Sequence, residues 1–290
     1  MSMNVEIIDL YRHFSLPAPT GAAGKLTCWR CPTPQRVSLH RRKPAVLILP
    51  GGGYEHISPR ESEPVALRFA ARGWAAFILE YSCAPLSFPV QLREAAMAMR
   101  LIREEAERFE TDPHMVAAVG FSAGGHLCGT LGTLWDDPAL SDIGPAPLLR
   151  PDALGLCYPV AVSSRPTHEG SFENISHGDP HLRDRLSLDK LVRGDMPPVF
   201  LWHTRDDQSV PCRNSLALAQ ALEAAGVEFS LHIYRHGQHG ASTADEMVYP
   251  AGALPPFSWD VPGWPETMMA FFRDVGLVIH DEQPPAETGG

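Results

Sequence analysis

Short apolar runs alternate with amphipathic stretches along most of this chain. The apolar runs lie at residues 45–49, 75–80, 153–158, 199–203 and 227–234, with a further run leading into Ser122. Runs of this kind are typical of strands buried on both faces of a parallel sheet. Apolar side chains at helical spacing lie at residues 61–72, 91–109, 213–225 and 265–275. The alternation predicts an α/β fold with a mainly parallel, doubly wound sheet, helices on both faces, and a small lid or none.

The remaining segments are predicted to lie at the sheet edge or over it. Residues 4–11 and 26–39 carry short alternating patterns broken by prolines, which indicate two or three antiparallel edge strands. Residues 160–186 and 241–263 are rich in polar, Pro or aromatic residues. We expect them to be surface excursions over the carboxyl ends of the strands, where ligands bind in such sheets. The tail at 281–290 is expected to be flexible.

Length and charge narrow the classes of function. The 290 residues predict one domain over 1–290 with its core at 41–276. A formal charge of -10 and a pI of about 5.7 disfavour nucleic acid as a partner. No run approaches the roughly 18 apolar residues of a membrane span, and the N-terminus lacks the layout of a signal peptide. We therefore expect a cytoplasmic protein without a membrane partner, and the sequence is compatible with a homo-oligomer.

The six cysteines are scattered along the chain, which indicates free thiols and not a disulfide framework. Cys28 and Cys31 have the spacing of metal ligands. Because no second pair completes a tetrahedral site, we expect no metal.

A candidate nucleophile follows one of the apolar runs. Residues 120–124 read Gly-Phe-Ser-Ala-Gly, the pattern of an elbow in which a serine occupies a sharp turn between strand and helix. The glycines before and after the serine let the two elements approach closely. The motif predicts that Ser122 is a nucleophile, provided that the rest of the chain supplies its partners.

A serine hydroxyl needs a base, usually a histidine that a carboxylate orients. Asp206 and Asp207 follow one predicted strand, and His236 and His239 follow the next. The resulting order Ser122, Asp, His is the one expected of α/β-hydrolases. We favour Asp207 because it stands in an Asp-x-x-Val-Pro loop that turns a carboxylate inward, and we expect the other aspartate to cap a turn. We favour His239 because a glycine follows it and lets its loop bring the imidazole over the serine.

The reaction also needs N–H donors for the oxyanion. In this arrangement one donor is the amide of Ala123, directly after the nucleophile. The others are expected from the glycine loop after residues 45–49, in particular from Gly52 and Gly53. A flexible loop or a phosphate cradle is the alternative, but no Lys-Ser/Thr follows and no Gly-x-Gly-x-x-Gly is formed.

Four separated motifs together resemble one family. They are Pro50-Gly-Gly-Gly-Tyr54, GFSAGGHL at 120–127, HTRDDQSVP at 203–211 followed by Asn214-Ser215, and the Gly-Gln-His-Gly that ends at Gly240. They resemble the α/β-hydrolase esterases related to acetyl xylan esterases, a group that includes feruloyl esterases, over roughly residues 43–276. The resemblance implies a serine carboxylesterase without metal or organic cofactor. It also implies a small-molecule or oligosaccharide ester as substrate, with acyl groups attached to sugars.

Two departures from the family pattern concern the substrate. Pro50 replaces the histidine of the lipase-type His-Gly-Gly-Gly motif, which argues against that branch. Residues 241–263 are longer and more aromatic than the group suggests. We expect Tyr54, Phe121 and Trp259 to contact substrate. Four side chains of the long segment can either wall a pocket or form a separate cluster: Met247, Tyr249, Phe257 and Trp259.

The function predicted from these motifs is hydrolysis of short-chain, acetyl-type esters of carbohydrates through an acyl-serine. A feruloyl or other aromatic-acyl esterase is the alternative within the family. A peptidase of the prolyl-oligopeptidase type shares the chain order, although the 290 residues hold no large gating domain. A hydrolase fold kept as a binding protein would lack a triad residue, whereas all three types are present.

Overall fold

Strands and helices alternate over the part of the chain that the computed structural model describes, residues 4–30, 32, 41–164, 166–250 and 252–281. The strands are β1 (Asn4–Asp9), β2 (Lys25–Arg30), β3 (Arg41–Leu49), β4 (Ala75–Glu80), β5 (Thr111–Phe121), β6 (Ala153–Cys157), β7 (Val199–Thr204), β8 (Phe229–Tyr234) and β9 (His280–Asp281). The α-helices are α1 (Leu10–Phe14), α2 (Glu63–Ala70), α3 (Val90–Glu104), α4 (Ala106–Phe109), α5 (Ala123–Leu134), α6 (Ala146–Leu149), α7 (Glu169–Ser176), α8 (Pro180–Arg185), α9 (Leu188–Leu191), α10 (Arg213–Ala224) and α11 (Trp264–Asp274).

The centre of the sheet is parallel, in the order β4-β3-β5-β6-β7-β8. At one edge β2 pairs antiparallel with β4, and β1 pairs antiparallel with β2. The mainly parallel sheet is confirmed, and so are two of the expected edge strands. The third edge strand falls within residues 31–39, which apart from Pro32 lie outside the described residues.

Side chains of β3 alternate between two hydrophobic clusters, one on each face of the sheet. Leu47 and Leu49 pack in the cluster that holds α3, α5 and α10. Val46 and Ile48 pack in the other cluster, with α2 and α11. Helices therefore cover both faces, as predicted, and the carboxyl ends of the strands are held on a rigid, fully packed platform.

Several predicted boundaries differ from the structure. Residues 91–109 form two helices, because Glu105 has φ -97° and ψ 17° and separates α3 from α4. Asp112 and Pro113 lie inside β5 and not in a turn, because β5 already begins beside Lys43 of β3. Nor is β8 the last strand, since β9 returns to pair antiparallel with Arg41 and Arg42.

The segment predicted as a polar excursion at 160–186 has its own regular structure. It contains α7, whose N-terminal cap is His168, and α8. The predicted helix at 61–72 begins later, at Glu63, after a 3₁₀ turn over Pro59–Glu61. Within the described ranges, no helix is both long enough and apolar enough to cross a membrane. The expected flexible tail lies outside the described residues, apart from Asp281.

Candidate active site

β5 ends in a strained turn that carries Ser122. This residue has φ 52° and ψ -117°, a conformation that costs of order 1–3 kcal/mol for a residue with a side chain. Neighbouring glycines permit the turn. A Cβ on Gly120 would lie 2.2 Å from the carbonyl oxygen of Gly124, and one on Gly124 would lie 2.1 Å from that of Leu49. Strand and helix therefore approach as closely as the motif predicts.

His239 lies on the loop after β8 and reaches the serine. The Ser122 Oγ–H group donates to His239 Nε2 at 2.8 Å, and His239 Nδ1–H donates to Asp207 Oδ2 at 2.7 Å. The ring of Tyr158 stands edge-on to the imidazole, with centroids 5.2 Å apart. Ser122, His239 and Asp207 therefore form a continuous chain of hydrogen bonds, and its donor–acceptor distances suit proton transfer.

Asp207 is completely buried and fully hydrogen-bonded. Its Oδ1 accepts the backbone N–H groups of Ser209 and Val210, each at 2.9 Å. His203 Nε2 lies 3.4 Å from Oδ2, the oxygen that also accepts from His239. Burial by itself would raise the pKa of Asp207, but the hydrogen bonds from His203 and His239 outweigh it and hold the pKa well below its usual range. Asp207 is therefore a carboxylate at neutral pH.

The glycine loop after β3 lies beside the elbow, where a Cβ on Gly51 would be 3.0 Å from the serine Cβ. The Gly51 N–H donates to Glu61 Oε2 at 2.8 Å and is therefore occupied. The N–H groups of Gly52 and Gly53 have no hydrogen-bond acceptor among the described residues. Ala123 is the first residue of α5, and a helix provides no acceptor for the N–H at that position.

A buried network, which we call the Glu61 brace, joins the glycine loop after β3 to the loop after β8. We call this second loop, which carries His236 and His239, the histidine loop. The brace consists of Gly51, Glu61, Tyr158 and Ser242. Besides its bond from Gly51, Glu61 accepts the Tyr158 hydroxyl at 2.6 Å, and the Ser242 N–H donates to the Tyr158 oxygen at 2.9 Å. Sequence analysis missed this network, because it placed Glu61 at the start of a helix and Tyr158 at the end of a strand.

A cavity of about 260 Å³ opens at Ser122. Besides Ser122 and His239, the side chains of His56, Arg60 and His168 line it. Pockets for drug-sized ligands occupy about 300–1,000 Å³, so this one suits a small group. A larger cavity of about 430 Å³ shares His56 but does not include the serine.

The three residues expected to contact substrate are not among those that line the cavity at Ser122; for Tyr54 and Phe121 the expectation is corrected because both side chains are buried, and for Trp259 it stays a prediction. Tyr54 is buried, and its hydroxyl lies 2.8 Å from Nδ1 of the buried His126. Phe121 is buried against Trp264, with ring centroids 5.7 Å apart. Successive side chains of a strand point to opposite faces, so Phe121 lies on the same face of the sheet as Val119. Both pack in the same hydrophobic cluster, and this alternation could have assigned Phe121 to the core. Trp259 is 92% exposed and is not among the residues that line the cavity.

Two of the other side chains singled out at 241–263, Tyr249 and Phe257, pack together beside the loop that carries His239. Tyr249 and Phe257 pack with their ring centroids 5.5 Å apart, and the Tyr249 hydroxyl donates to the Gly240 carbonyl at 3.1 Å. Met247 is exposed. Of the two alternatives for this segment, Tyr249 and Phe257 follow the separate cluster, whereas Met247 and Trp259 are exposed.

The second aspartate–histidine pair lies on the surface. His236 Nδ1–H donates to Asp206 Oδ2 at 3.1 Å, and Asp206 Oδ1 accepts the Gly237 N–H at 2.8 Å. Neither side chain contacts the serine. The structure thus brings Asp207 and His239 to Ser122 and leaves Asp206 and His236 outside the site.

Metal-binding side chains do not cluster in the described ranges, where no group of three His, Cys, Asp or Glu is placed to hold an ion. Cys28 is a buried free thiol. Its potential partner Cys31 lies outside the described residues.

Two family models match parts of the chain. The BD-FAE family matches residues 35–144, which include the glycine loop and Ser122. The Prolyl oligopeptidase family matches residues 167–254, which include Asp207 and His239. Together the two matches include the glycine loop, Ser122, Asp207 and His239, whereas Tyr158 lies between the two matched ranges.

Similar proteins include a solved structure, an acetyl ester-xyloside bifunctional hydrolase from Caldicellulosiruptor lactoaceticus. It is 34% identical with a TM-score of 0.78, over 94% of this chain and 97% of that chain. Endo-1,4-beta-xylanase B of Butyrivibrio fibrisolvens is 33% identical over 72% of this chain and 34% of its own length. Acetylxylan esterase of Xylanibacter ruminicola is 30% identical over 68% of this chain and 40% of its own length. The chain therefore spans well under half the length of these two curated relatives.

Proposed function

The chain belongs to the α/β-hydrolase esterases related to acetylxylan esterases, and from that premise we propose that it is a serine carboxylesterase acting on short-chain acyl esters of carbohydrates. One observation carries the proposal. A hydrogen-bonded chain runs from Ser122 through His239 to the buried Asp207, beside amide groups that have no acceptor in the described structure.

In the proposed reaction, His239 takes the proton from Ser122 Oγ as that oxygen attacks the ester carbonyl carbon. The N–H groups of Gly52, Gly53 and Ala123 stabilise the oxyanion that forms. As the tetrahedral intermediate collapses, His239 gives the proton to the leaving alcohol oxygen, and the acyl group remains on Ser122. Water then attacks the acyl-serine with His239 as base, and as the acyl–Oγ bond breaks His239 returns the proton to Ser122 Oγ and the acid is released.

Asp207 has a supporting role in this scheme. Its carboxylate accepts the His239 Nδ1–H, which keeps the Nε2 lone pair directed at the serine. It also stabilises the imidazolium that forms in both steps. The lowered pKa of Asp207 suits this role, because the carboxylate stays ionised across the range in which esters are hydrolysed enzymatically.

We propose that the acyl group of the ester substrate is short, and that acetyl is the preferred one. The cavity of about 260 Å³ supports this choice, and so do the names of the similar proteins, which refer to acetyl esters, xylan and xylosides. The polar side chains on the cavity wall support a hydroxyl-rich alcohol. An aromatic-acyl esterase would instead need room for a ring beside Ser122.

Replacement of the nucleophile tests the proposal. Ser122→Ala should lower kcat/KM for acetyl esters by on the order of 10⁶-fold and abolish labelling by a fluorophosphonate probe. The matched control is Ser141→Ala, at an exposed serine, which should leave both unchanged. Retained turnover in Ser122→Ala, with the fold intact by circular dichroism, would contradict the assignment.

A substrate panel tests the acyl and alcohol parts. We expect a steep fall in kcat/KM from acetyl to butyryl esters, and efficient release of acetate from acetylated xylo-oligosaccharides. A preference for feruloyl esters would move the protein to the aromatic-acyl side of the family.

A peptidase is the second candidate, favoured by the match of residues 167–254 to the Prolyl oligopeptidase family. Both reactions use the same order of nucleophile, acid and base. Release of amine from peptidyl anilides at rates comparable with ester cleavage would support the peptidase. We expect ester cleavage to be faster by orders of magnitude.

A further inference from the structure

His168 occupies a distinctive place on the wall of the catalytic cavity. It caps the N-terminus of α7, in the segment that lies over the strand ends. Its Cε1 is 3.6 Å from the position that a Cβ on Gly53 would occupy. The imidazole therefore lies against the glycine loop, in the same cavity as Ser122 and His239.

The hydrogen bonds of His168 determine which nitrogen carries its proton. Nδ1 accepts the backbone N–H of Ser171 at 3.2 Å, and the Ser171 Oγ lies 2.9 Å away. An acceptor Nδ1 requires the proton on Nε2. Burial and the neighbouring His239 lower the pKa of His168, so the ring is neutral at pH 7. Over the described residues Nε2–H has no acceptor, which leaves an unused donor in the cavity.

The structure also holds this donor in place. Asn174, on the same helix, donates its Nδ2–H to the Gly53 carbonyl at 2.9 Å. α7 is thus tied to the glycine loop through the amide of Asn174, and the ring of His168 lies beside the same loop. A donor fixed in this way loses little conformational entropy when it binds a ligand.

The position of His239 indicates which part of the substrate His168 meets. His239 passes the proton to the leaving oxygen, so the alcohol must lie on its side of the cavity. His168 lines the same cavity as His239. The oxyanion donors take the carbonyl oxygen of the ester, so in the proposed reaction the alcohol portion extends from His239 into the part of the cavity that His168 lines.

We propose that His168 Nε2–H donates a hydrogen bond to a hydroxyl oxygen of the leaving alcohol, adjacent to the ester being cleaved. This donor makes the site selective for esters of polyhydroxy alcohols, such as sugars, over esters of alcohols without a neighbouring hydroxyl. The inference rests on the proposed function and specifies the alcohol side of the same site.

Two variants separate the donor from the helix cap. His168→Asn keeps a cap, because an asparagine Oδ1 can accept the Ser171 N–H, but it has no group at the Nε2 position. His168→Ala removes both functions. The matched control is His181→Ala, at an exposed histidine of the neighbouring helix α8. Each variant is assayed on a mono-acetylated methyl xyloside and on its analogue without the neighbouring hydroxyls.

We expect both His168 variants to lower kcat/KM for the hydroxylated ester by about five- to tenfold, the effect of one neutral hydrogen bond. Turnover of the deoxy ester should stay within about twofold of wild type after correction for any lost stability. His181→Ala should match wild type on both esters.

Three results would overturn the role of His168. Equal losses on both esters would mean that it acts on the general machinery. Wild-type behaviour of His168→Asn, with losses only in His168→Ala, would mean that it is only a cap. Absence of any loss would mean that the donor is not used. If the wild-type chain cleaves neither ester, the proposed function itself fails.

Discussion

Two aspartate–histidine pairs follow β7 and β8, and they differ in burial far more than in chemistry. In the inner pair, the nitrogen–oxygen distance is 2.7 Å and the exposed fractions are 0% for Asp207 and 21% for His239. In the outer pair, the distance is 3.1 Å and the exposed fractions are 40% for Asp206 and 48% for His236. Both pairs consist of an aspartate close to a histidine. The inner pair differs from the outer pair in its burial and in its additional hydrogen-bond partners.

The additional partners explain how neighbouring aspartates reach different environments. Asp207 turns inward, where His203 and two backbone N–H groups accompany it. Asp206 stays outside and bonds across to the Gly237 N–H of the histidine loop. It therefore links two loops, whereas the sequence predicts a cap on its own turn. Exposed pairs of this kind contribute little to stability.

Replacing each histidine by alanine should give the largest difference in activity between the two pairs. His239→Ala should lower kcat/KM for ester hydrolysis by on the order of 10⁴- to 10⁶-fold, because Ser122 loses its base. His236→Ala should change it by less than about threefold. Steady-state kinetics on an acetyl ester measures both. Comparable losses in the two variants would abolish the distinction drawn between the pairs.

The aspartates should give the next largest contrast. Asp207→Asn should lower kcat by roughly 10⁴-fold, since an amide can present the wrong group to His239 Nδ1 and favour the wrong tautomer. Asp206→Asn keeps a surface hydrogen-bonding group and should remain within about twofold of wild type. A large loss in Asp206→Asn instead would reverse the assignment of the acid.

Acid stability should show the smallest contrast. The folded protein lowers the pKa of Asp207, so this group stabilises the fold above the ordinary carboxyl pKa, and the stabilisation is lost as pH falls towards the lowered value. Between pH 7 and pH 3 the wild-type free energy of unfolding should fall by about 1 kcal/mol more than that of Asp207→Asn. Urea denaturation at the two pH values measures the difference. A wild-type slope no steeper than that of Asp207→Asn would contradict it.

Elements with a strong local pattern could be predicted from the sequence. The run at 75–80 coincides with β4, and the amphipathic stretch at 213–225 agrees with α10 to within one residue. Both depend on periodic burial against the two faces of the sheet. The positions of Ser122, Asp207 and His239 at strand ends follow from the same pattern, because parallel strands end at a common edge.

Contacts between segments that are far apart in the chain leave no periodic pattern in the sequence. The Glu61 brace joins residues 97 and 84 positions apart in the chain, and no periodicity marks a glutamate that receives a backbone N–H. His168 was equally hidden, because its helix has only 8 residues within a segment that looks irregular. Tyr54 was misassigned because it stands next to a motif glycine, although its side chain points to the buried His126.

The strained backbone of Ser122 sets the stability of the fold against the chemistry proposed for this residue. A residue that stores strain is one that a glycine would relieve, so the most useful position in the site is also one where stability and activity are opposed. A lineage released from selection for its reaction could gain robustness by a single substitution there. The hydroxyl of Ser122 is therefore held at this turn at a cost in stability.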